Sequence, residues 1–245
     1  MIRVVSFDID DTLYDFQSAS RHALEHVRRR IAEISGVEDG RLTLEVLIAD
    51  LERTAEEMAN PYSRLHDLRT RAFWRTLQRF GRSDRAFAED LNRVYLAHRF
   101  DDVKLFRGAR ELLGELKQRY LICAISNGEQ DLKQLGLDGM FEFVVFASEA
   151  GVDKPDPRIF QLAMSHAACA PREFAHIGDS LATDVAGVQG AGGWGIWLNW
   201  DRSPVPAGFS PDEVVNALEE VPEALKRLDG STGCKRKSAR GGESR

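Results

Sequence analysis

Two periodicities divide the chain. Val4, Val5, Phe7 and Ile9 belong to a short β-branched and aromatic run that ends in acids, the pattern of a buried strand. From Ser18 to about Ala97 no such run occurs. Apolar residues recur there at helical spacing: Ala23, Val27 and Ile31; Leu44, Leu47, Ile48 and Leu51; Leu65, Leu68, Ala72 and Phe73; Phe87, Leu91, Val94 and Tyr95. Breaks at Ser35-Gly36, Asn60-Pro61 and Gly81-Arg82-Ser83 punctuate this stretch into a bundle of about four helices. After Phe106-Arg107-Gly108 the pattern alternates. Strands are expected over 120–125, 141–146, 174–177 and 194–198, and helices over 109–118, 131–135, 158–166 and 183–189. Such alternation predicts an α/β domain, a parallel sheet with helices on both faces. The all-helical block is then an insertion after its first strand. The expected division is an α/β core over 1–14 and 103–229, a helical domain over 15–102, and a disordered tail over 230–245, which has no apolar face.

Composition narrows the class of protein. The 245 residues, 43% of them apolar, suffice to bury a full core. The net charge of −6 argues against a nucleic-acid surface, which needs clustered cations to displace counterions. Apolar stretches such as 121–125 fall far short of the ~20 residues a membrane span requires, and no targeting segment stands out at the N-terminus. Cys123, Cys169 and Cys234 are widely spaced and form no CxxC pair, which suits a reducing cytoplasm without disulfides or thiolate-bound metal. The Lys235-Arg236-Lys237 run reads as part of a solvated tail. No heptad pattern appears, so the expected state is a monomer or a weak homodimer.

Chemistry is sought at the carboxyl ends of the strands, where ligands bind in open parallel sheets. Four polar clusters fall there: Asp8-Ile9-Asp10-Asp11-Thr12, Ser126-Asn127-Gly128, Lys154-Pro155-Asp156-Pro157, and Gly178-Asp179-Ser180 with Asp184. Any one of them could be a helix cap or a turn. Together they bring several carboxylates, a hydroxyl, an ammonium and backbone amides to one rim. Carboxylates that close repel one another, and a cation relieves the repulsion. Oxygen ligands without His or Cys suit Mg²⁺. A carboxylate beside such an ion can attack phosphorus while Ser126, Lys154 and the amide of Asn127 hold the remaining oxygens, which is the arrangement of phosphoryl transfer.

In this order, each after an expected strand, these clusters resemble the four motifs of the haloacid dehalogenase-like hydrolase superfamily, across the whole α/β part of the chain. The longer strings over 7–14 and 148–160 are similar to its subfamily I phosphatases, which carry a helical cap after the first strand, where the helical block lies. The resemblance implies a Rossmann-like core and a Mg²⁺-dependent phosphatase for a small phosphorylated metabolite, a nucleotide or a sugar phosphate. It implies Asp8 as nucleophile, forming an aspartyl-phosphate, and Asp10 as general acid and then general base. Mg²⁺ would take the side chains of Asp8 and Asp179 and the carbonyl of Asp10, with Asp184 acting through water or from behind these ligands. Ser126, Asn127 and Lys154 would hold the phosphoryl oxygens. A phosphomutase uses the same motifs and stays open as an alternative. A non-catalytic phospholigand-binding protein is expected to lack one of Asp8, Asp10, Lys154 or Asp179, and all four are present. Among His22, Arg64, His66, Trp74 and Arg99, any of which could reach the rim from the cap, the sequence does not choose. His176 reads as a core or sheet-edge residue, and Trp194, Trp197 and Trp200 read as packing.

Overall fold

The computed structural model describes residues 1–35, 40–101 and 103–231. Strand β1 (Val4–Phe7) is followed by four helices, α1 (Phe16–Ser35), α2 (Leu44–Glu57), α3 (Leu65–Arg79) and α4 (Arg85–His98). The chain then alternates through α5 (Ala109–Leu116), β2 (Leu121–Ser126), β3 (Phe143–Phe146), α6 (Ala147–Ala150), α7 (Pro157–His166) and β4 (Phe174–Gly178). A π-helical turn over Leu181–Val185 leads into α8 (Ala186–Gly190), β5 (Trp194–Leu198), β6 (Glu213–Val215) and α9 (Val221–Ser231). The six strands lie in the order β3-β2-β1-β4-β5-β6, and every pairing is parallel. The order reverses between β1 and β4, so their carboxyl ends flank a natural crevice.

Alternation along the strands builds a core on each face. Val5 and Phe7 pack with Leu112 and Leu113 of α5 and Ala224 and Leu225 of α9. Val4 faces the other way, toward Phe160 and Ala163 of α7 and Val188 of α8. Three expectations shift. Residues 131–135 form turns, not a helix, because the Asp131 carboxylate accepts from the amides of Lys133 and Gln134 and so offers them partners outside a helical ladder. The sixth strand went unpredicted because three residues beginning with a glutamate carry no readable alternation. Helix α9 runs to Ser231, past the expected tail boundary at 230, because Leu225 and Leu228 anchor its apolar face; residues 232–245 lie outside the described residues.

The four helices bury a cluster of their own, in which Leu24, Val27 and Ile31 of α1 meet Leu47, Phe73, Leu77, Leu91 and Tyr95. Thr43 and Asp84 cap α2 and α4 by accepting from Val46 N and Phe87 N. Polar clasps hold this block over the carboxyl ends of the strands. The Asp153 carboxylate accepts from Tyr62 N and Ser63 N at 2.9 and 2.6 Å, and Glu129 receives both Arg69 and Arg99, at 2.5 and 2.7 Å.

Candidate active site

The loop after β1 makes a tight turn in which Asp11 takes a left-handed conformation (φ 56°), one that aspartate tolerates better than most residues. Its carboxylate accepts from Gln17 N at the start of α1, so Asp11 shapes the turn. The turn sends Asp8 inward, 6% exposed, and Asp10 toward the helical block. Lys154, 4% exposed, donates to Asp8 Oδ1 at 2.6 Å and to Asp184 Oδ1 at 2.5 Å. Thr12 Oγ1 lies 3.3 Å from Asp8 Oδ2 and 3.2 Å from Asp179 Oδ1, and so joins the ends of β1 and β4.

Each group has a support. The Asn127 side chain clasps the Lys154 backbone at both N and O (2.8 and 3.1 Å), which fixes the lysine, while Ser126 Oγ accepts from Gly128 N. Glycine is required at two points of close approach. A Cβ on Gly128 would come within 2.5 Å of Asp10 Oδ2, and one on Gly178 would collide with the Asp184 carboxylate. Trp197 and Trp200 do more than pack: their indole N–H groups donate to the carbonyls of Asp179 and Asp11. All seven residues singled out in the sequence, Asp8, Asp10, Ser126, Asn127, Lys154, Asp179 and Asp184, therefore meet at one crevice.

Several partners of these groups lie outside the motifs. His176 is buried between Ser6 Oγ (3.0 Å from Nδ1) and Asp184 Oδ1 (3.3 Å from Nε2). A carboxylate only accepts, so Nε2 carries the proton and Nδ1 accepts from Ser6. In the sequence, Ser6 and His176 stand out only as polar residues within buried strand-like runs; the β1–β4 register pairs them. Tyr14 donates from its hydroxyl to Asp10 Oδ1 at 2.6 Å. Of the five cap side chains left open, Arg99 lines the cavity beneath the helices, whereas Arg64 pairs with Asp67 of α3 and His66 with Glu89 of α4, both at the surface. That cavity, about 250 Å³, runs from Asp10 and Tyr14 to Leu51, Leu68, Tyr95 and Phe100.

Electrostatics explain what the crevice can do. Burial raises Asp8 well above the ordinary carboxylate range, and Asp184, Asp10 and Asp179 add to this against the pull of Lys154. Burial and the neighbouring acids Asp184 and Asp11 push Asp179 up to about 6. Burial acts on Asp184 in the same sense, but Lys154 and His176 outweigh it and hold Asp184 low. Burial keeps His176 below its usual range, hence neutral, despite Asp184. Asp10 is raised by burial, with the hydrogen bonds from Tyr14 and Gln130 opposing. One oxygen from each of Asp8, Asp179 and Asp184 lies within 4.8 Å of the others. Three carboxylates thus face a single ammonium, an all-oxygen donor set with surplus negative charge, and it fits a hard divalent cation.

An acid cage at the switch point of a parallel sheet, roofed by helices, defines a Rossmann-like α/β hydrolase architecture. A family model described as haloacid dehalogenase-like hydrolase matches residues 2–192, and the chain belongs to that family. It is 26% identical over 239 residues to human N-acylneuraminate-9-phosphatase (93% of this chain, 95% of that protein) and 28% identical over 251 residues to phosphoserine phosphatase of Thermus thermophilus (90% and 98%). Among solved structures it is similar to a 2-haloacid dehalogenase from Pseudomonas syringae pv. tomato DC3000, with a TM-score of 0.77 and 32% identity over 93% of this chain and 99% of that one. No helix among the described residues is long and apolar enough to cross a membrane.

Proposed function

We propose that the protein is a Mg²⁺-dependent phosphatase that hydrolyses a small phosphomonoester through an aspartyl-phosphate on Asp8. The observation that carries this reading is the pair Asp8 and Asp10, two carboxylates in different environments two residues apart. Asp8 lies in the cage against Lys154, while Asp10 faces the cavity, its carboxyl raised above the ordinary range by burial and held by Tyr14. Asp8 attacks phosphorus, and the bond from phosphorus to the ester oxygen breaks. Asp10 gives its proton to the departing alkoxide. The same Asp10, now ionised, takes a proton from water, which attacks the acyl-phosphate and releases orthophosphate and free Asp8. Lys154, Ser126 and the amide of Asn127 would hold the other phosphoryl oxygens. Asp8, Asp179 and the carbonyl of Asp10 would hold Mg²⁺, with Asp184 behind them, and the ion would draw charge from the phosphoryl oxygens. Residues 15–102 serve as a cap that closes over the core of 1–14 and 103–229, excludes water and selects the leaving group in the cavity beside Asp10.

Human N-acylneuraminate-9-phosphatase and the Thermus phosphoserine phosphatase are named for phosphomonoesters, which supports this reading. The similarity to a 2-haloacid dehalogenase raises a second possibility. Halide is a leaving group that needs no proton, so that chemistry has no use for the acid Asp10. The purified protein with Mg²⁺ should release phosphate from p-nitrophenyl phosphate, stop with EDTA, and release no halide from 2-chloropropionate. Halide release without phosphatase activity would overturn the assignment.

A further inference from the structure

A second cluster of side chains able to ligate a metal lies away from the acid cage, where the helical block meets its return linker. His22 and His26 are four residues apart on α1, so their rings rise from one face of the helix, with centroids 5.0 Å apart. Asp101, three residues beyond α4, brings a carboxylate to the same face, and its Oδ2 lies 3.9 Å from His22 Nε2. One ligand atom from each of these three residues lies within 4.8 Å of the others. His98 completes the group: its Nδ1 is 2.6 Å from Asp101 Oδ2, and its ring stacks on His26 at 3.7 Å and 11°.

We propose that His22, His26 and Asp101 bind a divalent transition-metal cation of the Zn²⁺ class, with His98 orienting the carboxylate. Two imidazole nitrogens and one carboxylate oxygen are donors that such ions accept, and the rest of the coordination sphere is left to water. The all-oxygen acid cage suits a hard ion instead, so the two places differ in the metal they select. The geometry of the rings is fixed by their neighbours. The stacking of His98 on His26 at 3.7 Å and the i, i+4 spacing of His22 and His26 hold the rings in place beside Asp101. The bond from His98 to Asp101 is the outer support that metal-binding carboxylates commonly have. Bound there, the ion ties the linker that returns to the core onto the first helix to leave it.

The test uses the untagged full chain, stripped of metal and supplied with excess Mg²⁺ to occupy the acid cage. Co²⁺ is titrated as the probe and followed by its visible absorption, then displaced with Zn²⁺. One Co²⁺ per chain is expected, with ligand-field bands that vanish when Zn²⁺ is added. The H22Q/H26Q double variant should lose this binding, Asp8→Asn should keep it, and His98→Gln should weaken it about 10-fold. His22 is half-exposed, so His22→Gln alone provides a variant whose folding is not in question, checked by circular dichroism. As an independent readout, the ring proton resonances of His22 and His26 should shift on Zn²⁺ addition. Equal Co²⁺ binding by the wild type and the double variant, or unmoved histidine resonances, would overturn the proposal. Neither result bears on the phosphatase reading.

Discussion

Two groups of buried acid among the described residues are treated in opposite ways. In the helical block, Asp50 of α2 is fully buried, and all its charge is answered. Arg79 reaches both carboxylate oxygens at 2.6–3.1 Å, and Thr76 Oγ1 donates at 2.9 Å. In the crevice, Asp8, Asp179 and Asp184 share one ammonium, Lys154, because His176 stays neutral. A matched buried pair is structural glue at best, since desolvation consumes most of the Coulombic gain. An unmatched cluster is strained until something positive or reactive joins it. Burial alone therefore does not mark a site; the charge left over does.

The sharpest way to break this comparison is to neutralise one acid from each place. Asp8→Asn should lower phosphatase activity by at least about 10⁴-fold, because the nucleophile is gone. It should also raise the melting temperature of the metal-free protein. The carboxyl of Asp8 is held above its unfolded value, so its ionised form counts against folding at neutral pH, and removing that charge relieves the cage. Activity surviving in Asp8→Asn would falsify the nucleophile assignment. Asp10→Asn should cost about 10²–10⁴-fold with an alkyl phosphate, and less with p-nitrophenyl phosphate, whose leaving group needs little protonation. Equal losses on the two esters would place the acid elsewhere.

The opposite outcome is expected in the helices. Asp50→Asn should destabilise the fold by about 2 kcal/mol, because Arg79 loses its partner but, being half-exposed, regains water. Thermal melting checks this, and kcat should stay within about twofold, since one unit of RT ln 2 is small beside a broken active site. A catalytic collapse in a folded Asp50→Asn protein would mean that the two regions are coupled.

How much of this could be read from the sequence follows from where each contact comes from. Asp8, Asp10, Ser126, Asn127 and Asp179 sit in short strings just after strand-like runs, and Lys154 and Asp184 follow six to eight residues after theirs. The parallel sheet brings all such strings to one rim, so their convergence needed only the strand pattern. The partners that tune them come from longer range. The pairing of Ser6 with His176 depends on the β1–β4 register, and the bonds from Trp197 and Trp200 depend on how the last loops fold back. Arg69 and Glu129 meet only through the orientation of the helices, which apolar periodicity leaves free. Tyr14 was the nearest miss, four residues from Asp10 and connected through a turn that no helical or strand period describes.

Tyr14 also gives the smallest and most discriminating effect. Its hydroxyl donates to Asp10 at 2.6 Å, a bond that favours the ionised carboxylate. Tyr14→Phe removes that stabilisation and makes Asp10 a weaker acid, while its buried position leaves the cavity shape nearly intact. The loss of one such bond, about 1 kcal/mol, corresponds to a fall of about fivefold in kcat on an alkyl phosphate. On p-nitrophenyl phosphate the fall should be smaller, because proton transfer to the leaving group contributes little there. The ratio of the two losses is the quantity to measure. If Tyr14 acts through Asp10, the ratio follows the same direction as in Asp10→Asn, and in the D10N/Y14F double variant the tyrosine effect disappears. A tyrosine effect that persists without Asp10 would assign Tyr14 to the substrate, as part of the cavity wall.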